Sequence, residues 1–276
     1  MSSNQEIGKS ISANGIMTNY HDQGSGAPVV LIHGSGPGVT AWANWRLTIP
    51  ALASRFRVLA PDMVGFGYTE RPQGVHYDMD TWVSHVLGFL DALKIDKAHV
   101  IGNSFGGALA LALAIRAPQR VGRLVLMGSA GLSFPITEGL DRVWGYTPSQ
   151  QAMREMLDIF AYDRTLVNDE LARMRYEASI RPGHQEAYSQ MFPAPRQRSV
   201  DLLASPESSI RALPQQALIV HGREDRVIPL SSSYRLFELI QKSQLHVFGQ
   251  CGHWTQIEHT ARFNRLVSDF FAEDQA

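Results

Sequence analysis

The chain has 276 residues, 44% hydrophobic and 18% charged, with a net charge of −1. Those figures suit one large α/β domain, or one domain with an insertion, and the lack of a basic stripe or Lys/Arg cluster argues against nucleic acid and anionic lipid as partners. The single cysteine, Cys251, excludes an intramolecular disulfide and gives no basis for a Cys-based metal site.

The polar opening MSSNQEIGKS has no apolar h-region of the kind a signal peptide needs. The apolar run Ala108 to Ile115 is too short to span a bilayer. A soluble, cytoplasmic protein is expected. Residues 15–21 alternate in the manner of an antiparallel strand. Val29 to Ile32 is apolar throughout, as a strand buried on both faces of a parallel sheet should be. It runs into the glycine-rich turn His33-Gly34-Ser35-Gly36-Pro37-Gly38, whose spacing fits neither a dinucleotide loop nor a P-loop. Phe56 to Ala60 is a further strand, and Asp62 just after it reads as a turn or cap residue rather than a catalytic acid. Apolar positions 83, 86, 87, 90 and 93 give an amphipathic helix over 80–94.

The strand Ala98 to Ile101 then meets Gly102-Asn103-Ser104-Phe105-Gly106, followed by a helix from Phe105 to about Ala117. Strand, G-x-S-x-G and helix in that order form the context of a nucleophile elbow, in which the serine sits in strained backbone facing a helix N-terminus. Amide groups at that terminus can stabilise an oxyanion, and the loop 33–38 can turn a second N–H toward Ser104. Pro118 ends the helix and Leu124 to Met127 makes the next buried strand.

From 133 to 205 strand-like runs cease. Helical patterns appear around 149–160, 165–179 and 184–191, with Trp144, Phe160, Tyr176 and Met191 as the simplest core. This reads as a helical lid of residues 133–205 on a core of residues 1–132 and 206–276, seated at the carboxyl edge where open α/β sheets bind ligands. Beyond it come a strand at Ala217 to Val220, a helix around 231–241, a strand around 245–248, a loop to Trp254 and a helix over 256–271. The alternation predicts an α/β fold, a mostly parallel sheet with helices on both faces.

A serine hydroxyl needs a base, and the base needs a partner that fixes its tautomer. Ser104, Asp225 and His253 follow three strands in the order of the α/β-hydrolase arrangement. His253 is singled out among the ten histidines by a flexible Gly252 and a late post-strand loop, whereas His33 and His221 suit structural hydrogen bonding. Glu224 competes with Asp225, which lies later in the turn and can reach back. His33, His221 and His253 lack the spaced partners of a metal site, so neither metal nor cofactor is expected.

With G-N-S-F-G-G at 102–107, H-G-S-G-P-G at 33–38, H-G-R-E-D at 221–225 and G-H-W at 252–254, the chain resembles the meta-cleavage product hydrolases. These are carbon–carbon bond hydrolases of the α/β-hydrolase fold from bacterial breakdown of aromatic hydrocarbons. The likeness covers essentially the whole chain, and is nearest to the branch acting on 2-hydroxy-6-oxohepta-2,4-dienoate or 2-hydroxymuconic semialdehyde. Some relatives carry H-G-G-G-P-G where Ser35 stands here; the role needs only the backbone N–H. The resemblance implies a small anionic dienoate substrate and a homo-oligomer. Ser104 would be the nucleophile, His253 the base and Asp225 its orienting acid, with Ser35 and Phe105 supplying oxyanion-hole N–H groups. It further implies that Asn44, Asn103, Arg175 and Trp254 hold the carboxylate and enol oxygen, and that Ala130, Ile136, Leu140, Trp144 and Val227 form the apolar half of the pocket. Without it, Arg175 would read as a solvated surface residue. A serine esterase needs the same triad, and a ligand sensor on a hydrolase scaffold is the alternative from another class.

Overall fold

The computed structural model describes residues 4–273; the first three residues of the polar opening and the last three of the expected core lie outside them. Eight strands form one sheet in the order β1-β2-β4-β3-β5-β6-β7-β8. They are β1 Lys9–Ala13, β2 Ile16–Gln23, β3 Pro28–Ile32, β4 Arg57–Pro61, β5 Ala98–Asn103, β6 Val121–Met127, β7 Ala217–Gly222 and β8 Ser243–Phe248. β1 and β2 pair antiparallel, β2 joins β4 antiparallel, and every pairing from β4 to β8 is parallel.

Alternation along the buried strands divides the core in two. Val30, Ile32, Val100, Leu124 and Leu126 face one layer, with helices Met79–Ala92, Phe105–Arg116 and Leu230–Leu239. Val29, Leu31, Ile101, Val125 and Met127 face the other, with Ala41–Trp45, Ile49–Leu52 and Thr260–Ala272. The helix Phe105–Arg116 is buried along nearly its whole length, which explains its unbroken Ala/Leu sequence.

Between β6 and β7 stand the helices Glu138–Trp144, Gln150–Phe160, Asp169–Ser179, His184–Met191, Gln197–Leu203 and Glu207–Arg211. Trp144, Phe160 and Met191 are buried and continuous with the first layer's core, while Tyr176 packs against it half-buried. The C-terminal helix is interrupted: Thr255–Glu258 and Thr260–Ala272 meet at His259, whose ring stacks on Phe248 with centroids 4.9 Å apart.

Candidate active site

Ser104 joins β5 to the helix Phe105–Arg116 with φ 55° and ψ −115°. A β-carbon at Gly102 would collide with the Gly106 carbonyl, and one at Gly106 with the Ile32 carbonyl, so this turn admits only glycine on both sides. The strained serine is pinned by its own peptide groups: its N–H donates to Met127 O at 2.9 Å and its carbonyl accepts from Ala130 N at 3.1 Å. Although it sits at the N-cap, its hydroxyl makes no capping bond and faces a cavity of about 720 Å³ that His253 also lines.

Behind His253 stands Asp225. His253 Nδ1–H donates to Asp225 Oδ2 at 2.7 Å, which leaves Nε2 as the basic nitrogen. Asp225 Oδ1 accepts from Val227 N at 2.7 Å and Ile228 N at 3.0 Å. Burial would raise this carboxyl, but the His253 charge and the hydrogen bonds from His221 and His253 outweigh it and hold it well below the usual carboxylate range. Glu224 turns the other way: its Oε2 accepts from Cys251 N at 2.9 Å, and it pairs with Arg223. The neighbours therefore divide into one residue that orients the histidine and one that shapes its loop.

That loop is rigid, contrary to the expectation attached to Gly252. Gly252 N donates to Glu258 Oε1 at 2.8 Å, and His253 N donates to Phe160 O at 2.7 Å. A β-carbon at Gly252 would lie 2.5 Å from the same Phe160 carbonyl, so glycine is required by close approach rather than by flexibility. Phe160 also stacks on the rings of His253 and Trp254, at 5.8 and 5.3 Å.

The loop after β3 is equally fixed. His33 Nδ1–H donates to Gly34 O at 2.7 Å and its Nε2 accepts from Met63 N at 2.9 Å, a neutral imidazole whose pKa burial lowers to about 4. Gly34 N donates to Asn44 Oδ1 at 3.1 Å. Ser35 follows on the cavity wall, and Phe105 opens its helix, where a first-turn N–H has no intrahelical acceptor. Asp62 accepts from Ala41 N, Tyr68 N and Asn19 Nδ2, the cap and turn role its position suggested.

Asn44, Asn103, Arg175 and Trp254 all line the same cavity as Ser104 and His253. Asn44 Nδ2 is buried without a hydrogen-bond partner. Arg175 donates from Nη2 to Glu6 Oε1 at 2.6 Å. Of the five apolar positions, Leu140 and Val227 line the cavity, joined by Met153, Met156 and Leu157. Ala130, Ile136 and Trp144 are seated elsewhere. Ala130 supports the elbow, Ile136 N is bound to Gln197 Oε1 at 2.8 Å, and Trp144 stacks on Phe192 at 4.5 Å while its Nε1 donates to Ser35 Oγ at 3.0 Å.

His221 has the structural role expected of it, bonded to Ser233 Oγ at 2.6 Å and lying 3.3 Å from Asp225 Oδ2. Glu258, the clamp on Gly252, and Glu6, Arg46 and Arg181 on the cavity wall stand in no motif and carry no signal in the sequence.

A model of the α/β-hydrolase fold matches residues 27–260. The chain is 66% identical over 271 residues to a 2-hydroxymuconate semialdehyde hydrolase of Pseudomonas sp. (strain CF600), covering 98% of this chain and 96% of the relative. It is 62% identical to a 2-hydroxy-6-oxo-2,4-heptadienoate hydrolase of Pseudomonas putida, covering 98% of each. A solved meta-cleavage product hydrolase from Pseudomonas fluorescens IP01, a mutant complexed with acetates, superposes with a TM-score of 0.97 at 66% identity, over 98% of this chain and 100% of the other. The chain belongs to the meta-cleavage product hydrolases of the α/β-hydrolase fold. As a meta-cleavage product hydrolase it also superposes on a more distant member, a 2-hydroxy-6-oxo-6-phenylhexa-2,4-dienoate hydrolase from Rhodococcus sp. strain RHA1. There the TM-score is 0.89 at 32% identity, over 96% of this chain and 98% of the other.

Proposed function

We infer that this hydrolase cleaves a carbon–carbon bond in a 2-hydroxy-6-oxo-2,4-dienoate, giving 2-hydroxypenta-2,4-dienoate and a short carboxylic acid. The observation that carries the reading is a single cavity holding Ser104 and His253 together with Arg175 and the unpartnered Asn44 amide. An esterase needs the first pair; a carboxylate-bearing dienol calls for the second as well, because an anionic group leaving water requires charged and hydrogen-bonding partners.

In this reading the dienol first ketonises, moving its hydroxyl proton to carbon 5. Ser104 Oγ then attacks the carbon 6 carbonyl as His253 Nε2 takes its proton, and N–H groups of Ser35 and Phe105 receive the oxyanion. The carbon 5–carbon 6 bond breaks, the dienoate leaves with a proton from His253, and water releases the acid from Ser104 by the same route. Arg175, Asn44, Asn103 and Trp254 hold the carboxylate end, and the segment 133–205 serves as lid to the core of residues 1–132 and 206–276. Breakdown products of monocyclic aromatics such as toluene or cumene fit this class. Among the described residues no helix is long and apolar enough to cross a membrane; we place the enzyme in the cytoplasm as a homo-oligomer, which sedimentation would test.

The deciding experiment follows loss of the visible colour of 2-hydroxy-6-oxohepta-2,4-dienoate, beside a Ser104→Ala control and a p-nitrophenyl ester. Bleaching with both acids recovered, and turnover abolished in the control, supports the reading. Brisk ester cleavage without bleaching replaces it with an esterase.

A further inference from the structure

Apart from His253, the charged residues lining the cavity are Glu6, Arg46, Arg175 and Arg181. Glu6 precedes β1, far in sequence from every catalytic motif. Its Oε1 accepts from Arg175 Nη2 at 2.6 Å, and its Oε2 from both terminal nitrogens of Arg181 at 3.2 Å. The Glu6 and Arg175 side chains are only 12% and 13% exposed, so this pair is largely withdrawn from solvent. The glutamate's backbone is fastened to the core. Its carbonyl accepts from Asn19 Nδ2 at 3.0 Å, its N–H donates to Asn4 Oδ1 at 3.0 Å, and Gly8 N donates to Asn19 Oδ1 at 2.8 Å. One carboxylate thus ties β2 to the helix Asp169–Ser179 and to the turn that follows it.

Three arginines face one glutamate, so two positive charges stay uncompensated on this wall. Both Arg175 and Arg181 rest on the same carboxylate, and without it their like charges would repel across a poorly solvated space. Arg46 feels the same field: burial and the Arg175 charge push its pKa down, and Glu6 pulls it back up. With Nη2 taken by Glu6, Arg175 keeps Nε and Nη1 to offer a ligand.

We propose that Glu6 is a positioning residue for the substrate's carboxylate, holding the Arg175 fork from behind while leaving the wall the surplus positive charge that an anionic substrate end neutralises. This rests on the reading that Arg175 takes the carboxylate of the dienoate.

The test compares wild type, Glu6→Gln and Glu6→Asp on three readouts, with melting temperature recorded for each. These are KM and kcat for the dienoate, KM for a neutral p-nitrophenyl ester, and inhibition of ester cleavage by sorbate, a dienoate lacking the 6-carbonyl. Glu6→Gln raises the dienoate KM and the sorbate Ki about tenfold, the scale of a lost charge-assisted bond, with kcat within about twofold. The neutral ester is unaffected, and Glu6→Asp recovers part of the loss. An unchanged sorbate Ki, a lowered one such as the wall's added positive charge alone would give, or an equal loss on the neutral ester with a lowered melting temperature overturns the proposal. If wild type spares the dienoate while sorbate inhibition still depends on Glu6, the activity reading falls and the positioning role stands.

Discussion

Asp225→Asn keeps the size of the side chain and changes only what it offers. Val227 N and Ile228 N both point at Oδ1, at 2.7 and 3.0 Å, so the amide oxygen of the asparagine must take that place. Its NH2 then falls where Oδ2 was, facing His253 Nδ1 and lying near His221 Nε2. Two donors cannot face each other, and His253 must move its proton from Nδ1 to Nε2. In that tautomer Nε2 cannot accept the Ser104 proton. Loss of the correct tautomer in a Ser-His-Asp triad costs ~10⁴ in kcat, and a drop of about that size is expected in the bleaching assay. Stability should fall as well, because the substitution loses the His221 hydrogen bond to Oδ2 and the charge held well below the usual carboxylate range, although both backbone bonds survive. Glu224→Gln is the counterpart: its carboxylate serves Cys251 N and Arg223 rather than His253, so kcat should stay within about threefold. An Asp225→Asn enzyme within tenfold of wild type, or a Glu224→Gln enzyme crippled in kcat, would refute the assignment of the orienting acid.

Gly128→Ala places a β-carbon 3.3 Å from Asp225 Oδ2 and from His253 Nδ1, at a residue whose φ is +49°. A shift of a few tenths of an ångström in the dyad should lower kcat about three- to tenfold, and the left-handed backbone should lower the melting temperature by about 2–4 °C; an unaltered kcat contradicts this. Asn44→Ala removes the acceptor that fixes Gly34 N together with the free amide, so kcat/KM for the dienoate should fall about tenfold or more, a result that steady-state kinetics can deny. Burial lowers the pKa values of His33 and His85 to about 4, the His33 charge contributing to the latter. A depressed histidine gives its full stabilisation above pH 6.5 and loses it as pH falls toward 4, by about 1.4 kcal/mol per pH unit each. His184, lowered to about 4 by burial, acts with the same sign, while Asp62, raised to about 6 by burial, acts in the opposite sense, losing its contribution as pH rises through 6, and so offsets one of the three histidines. Melting temperature should therefore fall from pH 6.5 to 4, and a flat profile there would refute the buried, neutral state of these histidines.

The inner parallel strands β3 to β7 were legible because each carries a short apolar run buried on both faces, unlike the edge strand β8, and the elbow because its glycines answer to a steric need local in sequence. The helices Gln150–Phe160, Asp169–Ser179 and His184–Met191 were legible from periodicity. β1, KSISA, was not, since an edge strand with mostly exposed residues has no apolar pattern to show. Glu138–Trp144 and Gln197–Leu203 span about two turns each and are too short for periodicity to register. At the site, residues tied to a strand end or a glycine turn could be read from spacing. Glu6 and Arg181 could not, because their pairing joins segments well over a hundred residues apart, and Glu258, though only six residues from the Gly252 it holds, stands in no motif. Trp144 is the core residue its apolarity suggests, its ring on Phe192 and its indole N–H on Ser35 Oγ; the pocket wall was the place the resemblance implied for it.

Cavity residues come from before β1, from the stretches that follow β3, β5 and β7, from the helices between β6 and β7, and from beyond β8, where His253 and Trp254 lie. This order governs when a newly made chain becomes an enzyme. A polypeptide grown only as far as β7 has its elbow and its strained serine, but no base and no Glu258 to brace the turn that will carry one. Cleavage power therefore arrives late in synthesis and all at once, and chains arrested on ribosomes after β7 should be inert toward the dienoate even where the sheet has formed.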